Sequence, residues 1–247
     1  MRGFLRLAST DIRLYLREPI SIFFTIAFAP LIVVLNGVIF GNEPTAAFGG
    51  YGAMDLAMPA YTAIILGIVG FMAIPVNIGT YRESGVLRRF YSTPLRPATF
   101  IAADVVGNLL MMLVGVLVLV AVGLIFYSVA FEGNAVVVLA AIVFCALSMF
   151  SIGYLIAAVA PTARIANIIG LVILYPMMFL SGATIPSEVM PEGVRSIAQF
   201  LPLTYAVSLL KGLWFGEPWS DYLAETAVLL GVGVVCTALA ARFFRWE

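Results

Sequence analysis

The chain has 247 residues, 63% apolar and 11% charged, against about 45–50% and about 25% in soluble domains. That balance excludes most soluble folds and points to an all-α, polytopic membrane protein. Thirteen basic residues offset thirteen acidic ones and histidine is absent, so a nucleic-acid-binding field, His-dependent triads and His-based zinc sites are excluded.

Residues 1–18 read as an interfacial amphipathic helix. At 100° per residue Arg2, Arg6, Arg13 and Arg17 fall within a wedge of about 60°, while Phe4, Leu5, Leu7, Ile12, Leu14, Tyr15 and Leu16 cover the opposite arc. Pro19 turns the chain into the membrane. Asp11 and Glu18 fall on the apolar arc, as local caps or as contacts to a partner protein resting against this helix.

A hydrocarbon core about 30 Å thick takes roughly 20 apolar residues in helix. Uncharged runs place spans at 20–40, 56–81, 105–131, 133–163 and 165–187, and a sixth at 222–241 with Glu225 near its end. The first is too long for the apolar region of a cleaved leader, and Pro30 would follow the Ala27-Phe28-Ala29 cut, so it is retained. Residues 19–247 then form one six-span domain. Cys145 and Cys236, both inside apolar runs, read as small hydrophobes.

Alternating spans put Arg2, Arg6, Arg13, Arg17, Arg82, Arg88, Arg89, Arg96, Arg164, Arg242 and Arg245 on one side and only Arg195 and Lys211 on the other. By the positive-inside bias both termini are cytoplasmic. Between spans two and three, the loop 82–97 is the densest charged stretch. Val86, Leu87 and Phe90 leave an apolar edge beside Arg88 and Arg89, and Pro94 and Pro97 end the short helix. Such a helix suits a groove on a soluble partner, although any inside loop is basic. Gly85 serves either a tight turn or a close backbone approach.

No ionisable side chain occupies the middle of any span, which argues against a proton-coupled carrier. The interior groups that remain are Asn36, Asn77, Tyr154, Asn167, Tyr175 and Phe179, candidates for a substrate path, with each asparagine equally at home in an interhelical hydrogen bond. The segment 188–221 is too apolar for a free loop. Its uncharged stretch 196–210 is short for a span, so it either re-enters the membrane over a translocation path or lies at the interface.

The run R-E-S-G-V-L-R-R-F-Y-S-T-P at 82–94, the N-terminal helix, the six spans, and Ser181-Gly182-Ala183-Thr184-Ile185-Pro186, Pro191 and Leu201-Pro202-Leu203-Thr204-Tyr205 before the last span resemble ABC transporter permeases of the type-2 exporter class, such as the daunorubicin-resistance permeases. The resemblance covers essentially the whole chain. It implies a non-catalytic permease subunit in the cytoplasmic (inner) membrane, exporting a drug, lipid or glycan-lipid. Two permease chains, identical or not, would pair with two ATPase subunits that hold ATP and Mg2+, and this chain, which has no G-x-x-x-x-G-K-[ST], would hold no cofactor. Arg82, Glu83, Gly85, Val86, Leu87, Arg88, Arg89 and Phe90 would form the ATPase-coupling loop, and Pro186, Pro191, Pro202 and Tyr205 an outer gate built on a pair of short helices. The alternative is a secondary carrier or channel that needs no ATPase.

Overall fold

The computed structural model describes residues 23, 27–45, 50–87, 97–184 and 191–243. The predicted helix over 1–18, with Arg2, Arg6, Arg13 and Arg17, lies outside the described residues, as do Arg88, Arg89, Phe90 and Pro186. Among the described residues the regular structure is helical throughout. In chain order it runs α1 (Phe28–Phe40), α2 (Ala53–Ile68), a π-helical segment (Val69–Ala73), α3 (Ile74–Glu83), α4 (Pro97–Tyr127), α5 (Ala135–Val159), α6 (Ala163–Leu180), α7 (Glu192–Ala198), α8 (Pro202–Trp214), a 3-10 turn (Trp219–Tyr222) and α9 (Leu223–Phe243).

Among the described residues five stretches are long and apolar enough to cross a membrane: Ala53–Glu83, Thr99–Tyr127, Ala135–Val159, Ala163–Leu180 and Trp219–Phe243. The predicted span 20–40 is represented by α1, a shorter apolar helix of 13 residues. Helix ends depart from the uncharged runs because capping, and not charge, sets them. The run 133–163 shrinks to α5 because Asn134 caps its start, accepting from Val136 N at 2.9 Å, and Ala160 is already extended. Thr162 then caps α6, so that helix begins before the predicted position 165 and takes Arg164 into its first turn. The run 105–131 shifts toward its N-terminus. Helix α4 starts at Pro97, keeps Asp104 within it, and ends before Ser128, whose φ of 48° stops the helical path.

The α2–α3 rod forms the centre of the bundle. Every residue from 58 to 71 is buried, as expected of a helix that is apolar on all faces. Pro75 has no N–H and its ring crowds the carbonyl four residues back, that of Phe71. The ladder widens there to π spacing, with Ile74 N–H bonding Val69 O. The displaced carbonyls are received by glycines on the neighbouring helices. A methyl group at Gly153 of α5 would collide with Gly70 O, and one at Gly170 of α6 would collide with Phe71 O. Only glycine permits this approach.

Helix α9 packs chiefly on α5, where Ser148 Oγ donates to Leu229 O at 2.8 Å, and α1 lies against α2 and α4. Helix α8 fits between α2, α5 and α9, with Leu203 and Leu174 against Gly67, near the middle of the α2–α3 rod. Its other end, Trp214, lies at the opposite extreme of the bundle from Arg82 and donates through Nε1 to Ala130 O at 2.9 Å. We call the two extremes the basic end, carrying Arg82, Arg164 and Arg242, and the acidic end, carrying Glu132, Glu217 and Asp221. At the acidic end Asp55, buried, accepts from Gly52 N (2.8 Å), Ala130 N (2.9 Å) and Asn42 Nδ2 (3.0 Å). Asn42 also donates to Tyr127 O at 2.9 Å and accepts from Met54 N at 3.0 Å. One knot thus binds the chain after α1, the start of α2 and the end of α4.

Candidate functional site: the basic end of the α2–α3 rod

Helix α3 stops at a left-handed turn. Ser84 N and Oγ both donate to Thr80 O, Gly85 N donates to Arg82 O at 3.1 Å, and Gly85 has φ +70°. Among the described residues, apart from its chain neighbours, none has an atom within 4 Å of where a Gly85 side chain would start, and its positive φ serves the turn. Beyond it, Leu87 is fully buried in this chain's own core. The apolar edge predicted to face a partner is therefore turned inward at Leu87, while Val86 is half-buried.

The last turn of α3 grips the connection between α5 and α6. The Arg82 guanidinium donates to Ala160 O at 2.7 Å and to Ala157 O at 3.0 Å, carbonyls that the end of α5 leaves without helical partners. Glu83 Oε1 accepts from Ala163 N at 2.9 Å, the first residue of α6. Thr162 Oγ1 takes the Ile165 N–H at 3.2 Å. Both charges suit the helix ends they meet, a cation at a C-terminus and an anion at an N-terminus. One turn earlier Gly79 faces the same connection; a Cβ there would stand 2.7 Å from Ala163 Cα.

Two further links close a ring of helices at this end. Tyr81 of α3 and Phe100 of α4 meet edge-on with ring centroids 6.2 Å apart. Tyr154 of α5 donates to Asp104 Oδ2 of α4 at 2.6 Å, with both residues buried. Asn108 donates to Asp104 O at 2.9 Å, and its Oδ1 is buried with no hydrogen-bond partner among the described residues. Asp104 lies one residue before the predicted span 105–131 and inside α4. Its signal is an acid inside a long apolar helix, the kind of group that needs a partner once the helix is packed.

The other predicted residues divide by location. Tyr154 is a buried donor to Asp104. Asn36 is half-buried and its Nδ2 donates to Ile32 O of its own helix at 3.0 Å. Asn77 and Asn167 are half-buried, and Tyr175 and Phe179 are exposed. Pro191 begins α7 and Pro202 the first turn of α8, while Tyr205 OH donates to Gln199 O at 2.6 Å, joining the two short helices. The six predicted path residues are spread over α1, α3, α5 and α6.

A sequence model of the ABC-2 type transporter family matches residues 2–215. The daunorubicin resistance ABC transporter permease protein DrrB1 of Streptomyces coeruleorubidus is 26% identical over 228 residues, 86% of this chain and 78% of that protein. Nodulation protein J of Rhizobium leguminosarum bv. viciae is 31% identical over 97 residues, 39% of this chain and 35% of its own length. The probable multidrug ABC transporter permease YbhR of Escherichia coli K12 is 23% identical over 184 residues, 74% of this chain and 50% of its own. The chain thus spans about a third of the nodulation proteins it matches. With most of its length matched and its helices built to cross a bilayer, the chain belongs to the ABC-2 type transporter family of multi-pass membrane permeases.

Proposed function

We propose that the chain is the permease subunit of an ATP-driven exporter, moving a hydrophobic or amphipathic cargo with energy from a separate ATPase that docks at the basic end. The observation that carries this reading is the clasp. Arg82 and Glu83 are bonded to the α5–α6 connection, and the sequence runs on from them within six residues to Arg88 and Arg89. ATP and Mg2+ belong to the partner. The basic end then faces the cytoplasm, in keeping with the positive-inside bias, and Arg88, Arg89 and Phe90 are left as the loop's contacts to the ATPase. The names of two relatives, a daunorubicin resistance permease and a probable multidrug permease, support a drug-like cargo.

A second permease chain would cover α6. Ile165, Ile168, Val172, Tyr175 and Phe179 are all exposed and follow one another at steps of three and four residues, the spacing of a knobs-into-holes seam. This surface includes the predicted path residues Tyr175 and Phe179, so cargo would pass along the seam between two chains, under an outer cover formed by α7 and α8. One experiment separates this from the second reading, a carrier or channel, which draws its support from the buried carboxylate of Asp104. Purified from its native host, the permease is expected to carry a soluble ATPase with it, and transport is expected to stop on ATP depletion. If no ATPase accompanies it and collapse of the membrane potential alone stops transport, the carrier reading replaces ours.

A further inference from the structure

Resting on that reading, we infer that Arg82 and Glu83 are positioning residues that carry motion of the coupling loop into α5 and α6, and are not themselves contacts to the ATPase. Family resemblance treats residues 82–90 as one docking element. The geometry divides it. Arg82 gives its guanidinium to Ala157 O and Ala160 O and Leu87 lies in the core, while Glu83, although exposed, gives Oε1 to Ala163 N.

The construction is stiff where it has to transmit. Arg82 holds two carbonyls of the last turn of α5 with the two arms of a planar fork, which fixes direction as well as distance. Glu83 seizes the first amide of α6 only a few residues further along the chain. Gly79 lets α3 sit against Ala163 without an intervening side chain, so the three contacts lie on one face across the last turn and a half of α3. Between this face and the loop stands only the turn at Ser84 and Gly85. A pull on residues 86–96 therefore reaches the α5–α6 connection through two side chains, and both helices move with the central rod.

The test uses the complete permease with its ATPase, reading association, cargo-stimulated ATP hydrolysis and transport separately. Arg82→Ala is expected to leave association within about twofold of the unaltered complex while transport and cargo-stimulated hydrolysis fall tenfold or more. Arg82→Lys, with a point charge in place of a fork, is expected to fall between the two. Glu83→Gln retains an oxygen to accept from Ala163 N, so it is expected to keep coupling. An equal loss of association and transport in Arg82→Ala overturns the inference, as does unimpaired transport in that variant. Should Arg82→Ala fail to accumulate in the membrane, Glu83→Gln decides: retained coupling supports the clasp, and lost association shows that the charge itself meets the ATPase. Failure of the underlying reading looks different, since then the unaltered chain binds no ATPase at all.

Discussion

The α2–α3 rod and helix α6 are both apolar, both contain a proline and both are long enough to cross a bilayer, yet they sit in opposite circumstances. The rod is enclosed by neighbours through residues 58–71 and is tied at both ends, by Asp55 at one and by Arg82 and Glu83 at the other. On α6 only Ala166, Gly170 and Leu174 are buried, on the side that meets the rod. Hydropathy measures what an element avoids, which is water, and does not say whether protein or lipid will replace it. The difference is written in glycines and in side chains at helix ends.

That contrast can be broken from the rod outward. The largest effect is expected from Gly153→Ala, which drives a methyl group into the Gly70 carbonyl; overpacking against backbone should lower stability by about 3 kcal/mol, read as a drop in the melting temperature of the detergent-purified permease. A variant that melts normally would mean the rod is not seated against α5 as described. Asp55→Ala deserts three donors at the acidic end and should lower stability by about 2–3 kcal/mol, with faster amide exchange at Gly52 and Ala130 as its local signature. Tyr154→Phe removes one donor from the buried Asp104 carboxylate and should lower it by about 1–2 kcal/mol, less than Asp55→Ala if the two ends are tied by the number of bonds broken. At the other extreme, Val172→Ala on the exposed face of α6 should change the melting temperature of the isolated chain by no more than about 0.5 kcal/mol equivalent, while lowering recovery of one tagged copy with another. A stability loss there comparable to that of Gly153→Ala would show that α6 is as enclosed as the rod.

Much of this arrangement was legible in the residues. Apolar runs located the long helices, and the order of the Arg82 loop and the prolines pointed to the family, whose resemblance implied a pair of short helices before the last span. The uncharged stretch 196–210 itself divides between α7 and α8. Side-chain direction was not legible. Leu87 follows the same helical spacing as Val86, and only the left-handed turn at Gly85 decides which of them enters the core. Arg82 and Glu83 read as part of the ATPase-coupling loop, and their bonds within this chain were not legible because the acceptors and donor are backbone groups some 75 to 80 residues away, which carry no mark in a sequence. The donors that Asp55 gathers from Gly52, Asn42 and Ala130 carry no such mark either. The interior asparagines were singled out by chemistry alone, and chemistry does not say which of them share a surface.

The seat of Trp214 has a practical outcome. This indole is buried, its N–H held by Ala130 O and its ring edge-on to Phe131, while Trp219, half-buried, donates to Thr226. Both lie at the acidic end, at either side of the step from α8 into α9. An excursion that draws the Trp214 end of α8 away from its neighbours must hydrate this indole, shifting its emission to the red and admitting collisional quenchers. The chain therefore carries an intrinsic optical probe of the acidic end of the bundle, one that requires no label.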